Sequence, residues 1–381
     1  MDVTPFSLCV EPAMLTDLRD RLLRTRWPDE INDDAWDWGT RSDCLRKLVD
    51  HWLTGFDWKV QEAALNRLPQ FRANIDGLGI HFVHIRGKGP NPTPLIITHG
   101  WPGSFVEMRR IIPLLTDPAA HGGDPADAFD LIIPSLPGYG FSDRPTLPGM
   151  SPAAVADLWV KLMHGLGYPR FGAQGGDWGA AVSTWLAVLH PDALIGLHLN
   201  FLPAVFPPST IASATERTYF DARSAWIEGE GAYGHQHGTK PQTLAYGLTD
   251  SPVGLAAWIL EKFRAWSDCG GDPLRAFAAD DLLTNISIYW FTQTISSSIR
   301  LYKEARRSPL RLSPGQHVLP PLGFAQFPVE IPCAPRDLAS RFFDVRQWTA
   351  MPRGGHFAAM EQPVLLAADV TRFFRGLRTG R

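Results

Sequence analysis

The chain has 381 residues, 45% of them hydrophobic and 20% charged, so it can bury a sizeable core and is not a disordered polymer. A formal net charge of -3 leaves neither the basic footprint of a nucleic-acid binder nor an acidic tail. The 14 tryptophans are the unusual figure, and with no self-similar period in the sequence they are not the mark of a repeat protein.

The first part reads helical and Trp-rich. Glu11-Pro12 opens a helix with Met14, Leu15, Leu18, Leu22 and Leu23 on one face, ending by Trp27-Pro28. Ser42 is placed to cap a second helix with apolar Leu45, Leu48, Val49, Trp52 and Leu53, and Asp57-Trp58 opens a third. From about residue 75 the pattern becomes alternating strands and helices. Short apolar runs at 80–85, 94–98, 130–134, 171–173 and 194–199 predict strands, with helices after Ser151-Pro152 and after Gly179. Beyond Pro207-Pro208 the strand pattern vanishes for about 100 residues, and segments 214–228, 255–266 and 280–306 read as helices. Strands return at 322–327 and 343–348, and a helix over 364–377 closes the chain. The predicted fold is α/β, a mainly parallel sheet with helices on both faces and a helical insertion.

Four scattered cysteines, Cys9, Cys44, Cys269 and Cys333, show no disulfide or zinc spacing, which fits a reduced, cytoplasmic chain. The N-terminus lacks a signal-peptide pattern, and no stretch is apolar enough to span a membrane. His235 and His237 form an H-x-H with no evident third ligand, so neither metal nor cofactor is expected.

Three motifs carry chemistry. Gly175-Gly176-Asp177-Trp178-Gly179, between a strand and a helix, has the form of a nucleophile elbow with Asp in place of the usual Ser. A carboxylate nucleophile attacks an sp3 carbon and forms an alkyl ester that water then cleaves, which suits epoxides and alkyl halides rather than esters or amides. His99-Gly100-Trp101-Pro102 follows an earlier strand, and the backbone N–H groups of Trp101 and Trp178 together would form an oxyanion hole. Arg353-Gly354-Gly355-His356-Phe357 follows the last strand and supplies a general base, His356. Its acid partner is sought among Glu330, Asp337 and Asp344. Glu330 lies just past a strand end, Asp337 beside Arg336 reads as a surface pair, and Asp344 falls within a strand.

These residues resemble the α/β-hydrolase-fold epoxide hydrolases of the microsomal-like branch. Besides GGDWG, the likeness rests on Arg26-Trp27-Pro28-Asp29-Glu30, Trp36-Asp37-Trp38-Gly39-Thr40, the HGWPGSF of His99–Phe105, the segment Phe324 to Glu330 and Pro352-Arg353-Gly354-Gly355-His356-Phe357. The resemblance implies a nucleophile Asp177, base His356, acid Glu330 and two cap tyrosines. Ser297 to Glu304 matches the cap motif that contains Tyr302, and Ala232-Tyr233-Gly234-His235 supplies Tyr233. It also implies an N-terminal wrapping region (1–75), a hydrolase core (76–206 and 321–381) and a helical cap (207–320). The implied substrates are a small-molecule epoxide and water, with no nucleic acid and room for a homodimer formed through the cap. In a departure from the mammalian microsomal members, which carry a leading membrane anchor, no membrane association is expected. Two rivals share the fold: a haloalkane dehalogenase, for which Trp178 stands where a halide-stabilising Trp would, and a non-catalytic binding protein. A phenol pair serves an alkoxide, whereas a halide needs only N–H donors. Trp27, Trp36, Trp38, Trp52 and Trp58 are expected to anchor the wrap to the core.

Overall fold

The structure is a computed structural model and describes residues 1–31, 36–203, 206, 212–313 and 315–379. Nine strands form one sheet in the order β1-β2-β3-β5-β4-β6-β7-β8-β9. They are β1 (Val3–Phe6), β2 (Gln70–Ile75), β3 (Leu78–Ile85), β4 (Thr93–Thr98), β5 (Phe129–Pro134), β6 (Phe171–Gly175), β7 (Leu194–Leu199), β8 (Val318–Gln326) and β9 (Phe343–Ala350). From β5 to β9 every pairing is parallel, while β1, β2 and β3 form an antiparallel edge. The chemistry of the strands explains the split. The central strands β4, β5 and β6 are apolar runs buried on both faces, as crossover helices on each side require. The edge strands VTPF and QFRANI mix polar and apolar residues around Pro5, so the sequence pattern does not reveal them as strands.

The helix Pro12–Leu23 buries Leu18 and Leu22, but Leu23 is exposed, because a residue adjacent to the buried face sits about 100° around the axis. The helix also stops a turn before Trp27. Ser42 is the first residue of Ser42–Thr54 rather than its cap; its N–H is satisfied by the Glu30 carboxylate at 2.8 Å. Asp57 caps Trp58–Leu65 through a 2.8 Å bond from the Lys59 N–H. Trp52 and Trp58 are buried, and Arg46 and Arg264 stack over the half-buried Trp27 and Trp36. Trp38 is 78% exposed and anchors nothing.

Between β7 and β8 the described residues form helices only: Ala214–Glu230, Ala232–Thr239, Pro241–Asp250, Pro252–Ala265, Pro273–Ala276, Ala279–Thr292 and Ile295–Arg307. Pro207 and Pro208 lie outside the described residues. Proline opens several of these helices, where its missing N–H costs nothing. The segment expected as one helix over 280–306 is two, broken at Gln293, which adopts a left-handed conformation (φ 53°) and turns the chain.

This insertion is tied down on two sides. Toward the sheet, the Asn285 amide donates to the Pro102 carbonyl (2.8 Å), Tyr289 OH donates to the Gly103 carbonyl (2.7 Å) and Tyr139 OH donates to the Ser298 carbonyl (3.0 Å). Toward the N-terminal helices, Arg21 pairs with Asp250 (2.9 Å), His51 with Asp280 (2.7 Å) and Thr40 donates to the Ala257 carbonyl (2.8 Å). No helix among the described residues is long and apolar enough to cross a membrane.

Candidate active site

β6 ends at Gly175, and Asp177 begins the next helix with φ 47°, a left-handed conformation that costs a non-glycine residue about 1–3 kcal/mol. The turn tolerates no side chains around it. A Cβ on Gly179 would lie 1.9 Å from the Thr98 carbonyl oxygen, and one on Gly100 would lie 2.3 Å from Asp177 Cβ. These glycines let the elbow sit against the end of β4. There the Trp101 N–H donates to Asp177 Oδ1 at 2.8 Å. The Trp178 N–H, in the first helical turn, has no intrahelical acceptor to compete for it.

His356 reaches the elbow from the loop after β9. Its Nε2 lies 3.3 Å from Asp177 Oδ2, and its Nδ1 lies 2.6 Å from Glu330 Oε1. Glu330 sits just past β8 and also accepts the Ile331 N–H at 2.7 Å. The other two acid candidates lie elsewhere: Asp337 is exposed at the start of a short helix, and Asp344 pairs with Arg346 on the surface. The base loop is fixed by the insertion. The His356 N–H donates to the Trp266 carbonyl (2.8 Å) and the Gly354 N–H to Asp268 Oδ2 (2.9 Å), while the Asp268 N–H donates to Glu361 Oε2 (2.8 Å).

Burial opposes a charged imidazole, but the Glu330 and Asp177 carboxylates on its two nitrogens reverse this and hold the His356 pKa well above its ordinary value. Each carboxylate accepts from one ring nitrogen of a cation.

Opposite this row stand the two tyrosines. Tyr233 lies on the helix Ala232–Thr239 and stacks on Trp101 with ring centres 5.5 Å apart. Tyr302, on Ile295–Arg307, meets Trp178 edge-on at 4.7 Å and Tyr233 at 5.7 Å. Its hydroxyl is buried between Tyr233 and the Trp178 indole, with no well-aligned hydrogen bond to either. Tyr139 and Tyr289, also buried nearby, have their hydroxyls committed to backbone carbonyls. Burial, reinforced by Asp177, raises the pKa of both Tyr233 and Tyr302, so each keeps its proton at neutral pH.

Three neighbours escaped sequence reasoning. Trp266 packs its ring 5.1 Å from both Tyr233 and His356. His237 sits edge-on to Trp101 (4.7 Å) and Tyr302 (4.8 Å). Its Nε2 accepts the Trp258 indole N–H at 3.1 Å, and burial pushes its pKa down to about 3, so it is neutral with its proton on Nδ1. His235 is exposed on the same helix, because residues i and i+2 of a helix point apart, so the H-x-H does not converge. Among the described residues no three His, Cys, Asp or Glu side chains are grouped to hold a metal. The third neighbour is Glu107, on the 3-10 helix Phe105–Arg110, buried beside Asp177 and His356. His237 entered the sequence reading only as half of the H-x-H, Glu107 lies two residues beyond the HGWPGSF motif, and Trp266 lies in no motif.

Residues 3–108 match the family described as epoxide hydrolase N terminus, and residues 93–200 match the alpha/beta hydrolase fold. The chain is similar to epoxide hydrolase 1 of Oryctolagus cuniculus, with 39% identity over 97% of this chain and 88% of that protein. The crystal structure of juvenile hormone epoxide hydrolase from Bombyx mori superposes with a TM-score of 0.91 at 32% identity, covering 99% of this chain and 95% of that one. The structure of Aspergillus niger epoxide hydrolase gives 0.87 at 30% identity, covering 99% and 97%.

Proposed function

The chain belongs to the epoxide hydrolases, enzymes that open an epoxide with water, and from that premise we propose how its own residues divide the work. Asp177 Oδ2 attacks an epoxide carbon as the ring C–O bond breaks, giving an alkyl ester and an alkoxide. Tyr233 and Tyr302 hydrogen-bond the ring oxygen and supply the proton it takes up. Oδ1, already facing the Trp101 N–H, becomes the ester carbonyl oxygen. That donor, with the Trp178 N–H, then stabilises the oxyanion when water attacks. His356 removes one proton of the water and returns it to the departing alcohol. The water's other proton, left on the Asp177 carboxyl, restores the tyrosine that protonated the alkoxide, so the sum is epoxide plus water to vicinal diol.

The observation that carries this reading is one imidazole held between two carboxylates. While both are ionised, His356 is a cation. Esterification removes the charge of Asp177 and with it one of the two groups that keep the proton on. The base is therefore released only after the first step has occurred. His356→Gln tests this: the ester should form and persist, and intact mass after treatment with styrene oxide should rise by one whole substrate. An unchanged mass with the protein folded would refute the scheme.

On this reading residues 207–320 act as a cap over a core of 76–206 and 321–381, with 1–75 as its wrap. The exposed Ile227 and Tyr246 on the insertion support pairing of two copies through the cap, which light scattering would check. Four free cysteines support a reducing, cytoplasmic location, which cell fractionation would check. The dehalogenase chemistry has one foothold, the buried and unpartnered indole N–H groups of Trp101 and Trp178. Halide release from a haloalkane panel should nonetheless be negligible beside diol formation.

A further inference from the structure

Behind Asp177 and His356 lies a cavity of about 20 Å³, the room that one water needs, lined by Glu107, Gln174 and Asn200 as well as by the two reacting side chains. We propose that Glu107 holds the hydrolytic water there, accepting one of its protons while the other points at His356. This rests on the two-step reading above and names the residue that the second step lacks. A lone imidazole fixes one O–H direction of a water and leaves the lone pair free to swing. A second acceptor fixes both, and aims the lone pair at the carbonyl carbon of the ester.

Three observations converge on Glu107. Its carboxyl is buried, yet among the described residues it has no ion-pair partner, so no structural cation explains it. The neighbouring cations Arg109 and Arg110 both pair with Asp281 instead. Space for the carboxyl is reserved by Gly103, where a Cβ would lie 1.4 Å from Glu107 Oε1. Burial pushes the carboxyl pKa up to about 8 against the pull of the His356 cation, with Asp177 adding to the rise. A neutral carboxyl keeps a carbonyl oxygen to accept from water without setting a third negative charge beside Asp177 and Glu330. The titratable groups facing it are Asp177 and His356 across the cavity, with Arg109, Arg110 and Asp281 on its other side.

Single-turnover measurements with styrene oxide separate ester formation from ester hydrolysis. Glu107→Leu should slow hydrolysis roughly 10- to 100-fold and leave ester formation within about twofold, so that the Asp177 adduct accumulates. Gly103→Ala, which moves the carboxyl without changing its chemistry, should act in the same sense. Glu107→Gln keeps an acceptor oxygen; it should retain most of the hydrolysis rate but lose the ionisation expected near pH 8 in the wild-type hydrolysis profile. An equal loss in both steps, or none in Glu107→Leu, overturns the inference and leaves the two-step reading standing. If Glu107→Leu fails to fold, the Glu107→Gln profile decides, and an unchanged inflection near pH 8 overturns the inference. Absence of an ester in every protein, His356→Gln included, overturns the two-step reading and this inference together.

Discussion

The sheet side and the insertion side of the site are built on opposite rules. At the sheet edge the reacting side chains hold one another: Asp177 is bonded by Trp101 and His356, His356 by Glu330 and Glu330 Oε1 by Ile331, while Glu330 Oε2 and the Trp101 and Trp178 indole N–H groups have no partner among the described residues. On the insertion side, Tyr302 OH is buried with no well-aligned hydrogen bond, and His237 Nδ1 is buried without a partner among the described residues. An unsatisfied buried donor costs about 1–3 kcal/mol. The reacting carboxylates and imidazole are therefore organised before substrate arrives, and the phenol and indole donors around them are left to meet a ligand. The groups that do covalent work are fixed, and the groups that meet a developing charge are kept unspent.

The comparison can be broken at its strongest point first. Asp177→Ala should lower diol formation about 10⁴-fold or more while the melting temperature stays at or near the wild-type value. Glu330→Gln leaves the geometry but removes one of the two charges that raise the His356 pKa. The base works only when unprotonated, so hydrolysis is lost as pH falls through that pKa; with the pKa lowered, the acid limb should move to lower pH, as a pH–rate profile of ester hydrolysis would reveal. Tyr302→Phe should slow ester formation about 100-fold and change stability little, since the hydroxyl it removes makes no well-aligned hydrogen bond. Tyr289→Phe sharpens the contrast: its hydroxyl is already bonded to Gly103, so it should cost about 1 kcal/mol of stability in denaturant titration and little rate. The smallest contrast lies far from the chemistry. Trp58→Ala should cost about 3–5 kcal/mol, whereas exposed Trp38→Ala should change stability by about 0.5 kcal/mol or less.

Legibility in the sequence follows the same division. Strands β4 to β7 are readable because burial on both faces demands largely apolar runs. The elbow is readable because close backbone approach demands glycine at fixed spacing around Asp177. β1 and β2 are not, since an antiparallel edge tolerates Pro5, Arg72 and Asn74. The break at Gln293 carries no local signal, because a left-handed glutamine is held by its surroundings rather than by its own preference. Trp266, His237 and Glu107 are invisible for a further reason. Each enters the site from a different element, and their meeting is a property of packing, not of any short stretch of chain.

The insertion leaves the sheet after β7 and rejoins it at β8, and these two strands are neighbours paired through Leu197–Leu322 and Leu199–Phe324. The two strands are parallel, so the insertion departs from the C-terminal end of β7 at Leu199 and returns to the N-terminal start of β8 at Val318, roughly 20 Å further down the sheet at about 3.3 Å per residue. A detour hung between two neighbouring strands that are already paired can be lengthened, shortened or exchanged without altering the path of a single strand. In evolutionary terms Asp177, His356 and Glu330 lie outside this module, and of the proposed reacting groups only Tyr233 and Tyr302 drift with it. What restrains the drift is the second set of ties, Arg21 to Asp250 and His51 to Asp280, which couple any new insertion to the N-terminal helices. A chimera that swaps the insertion between relatives should therefore carry residues 1–75 with it.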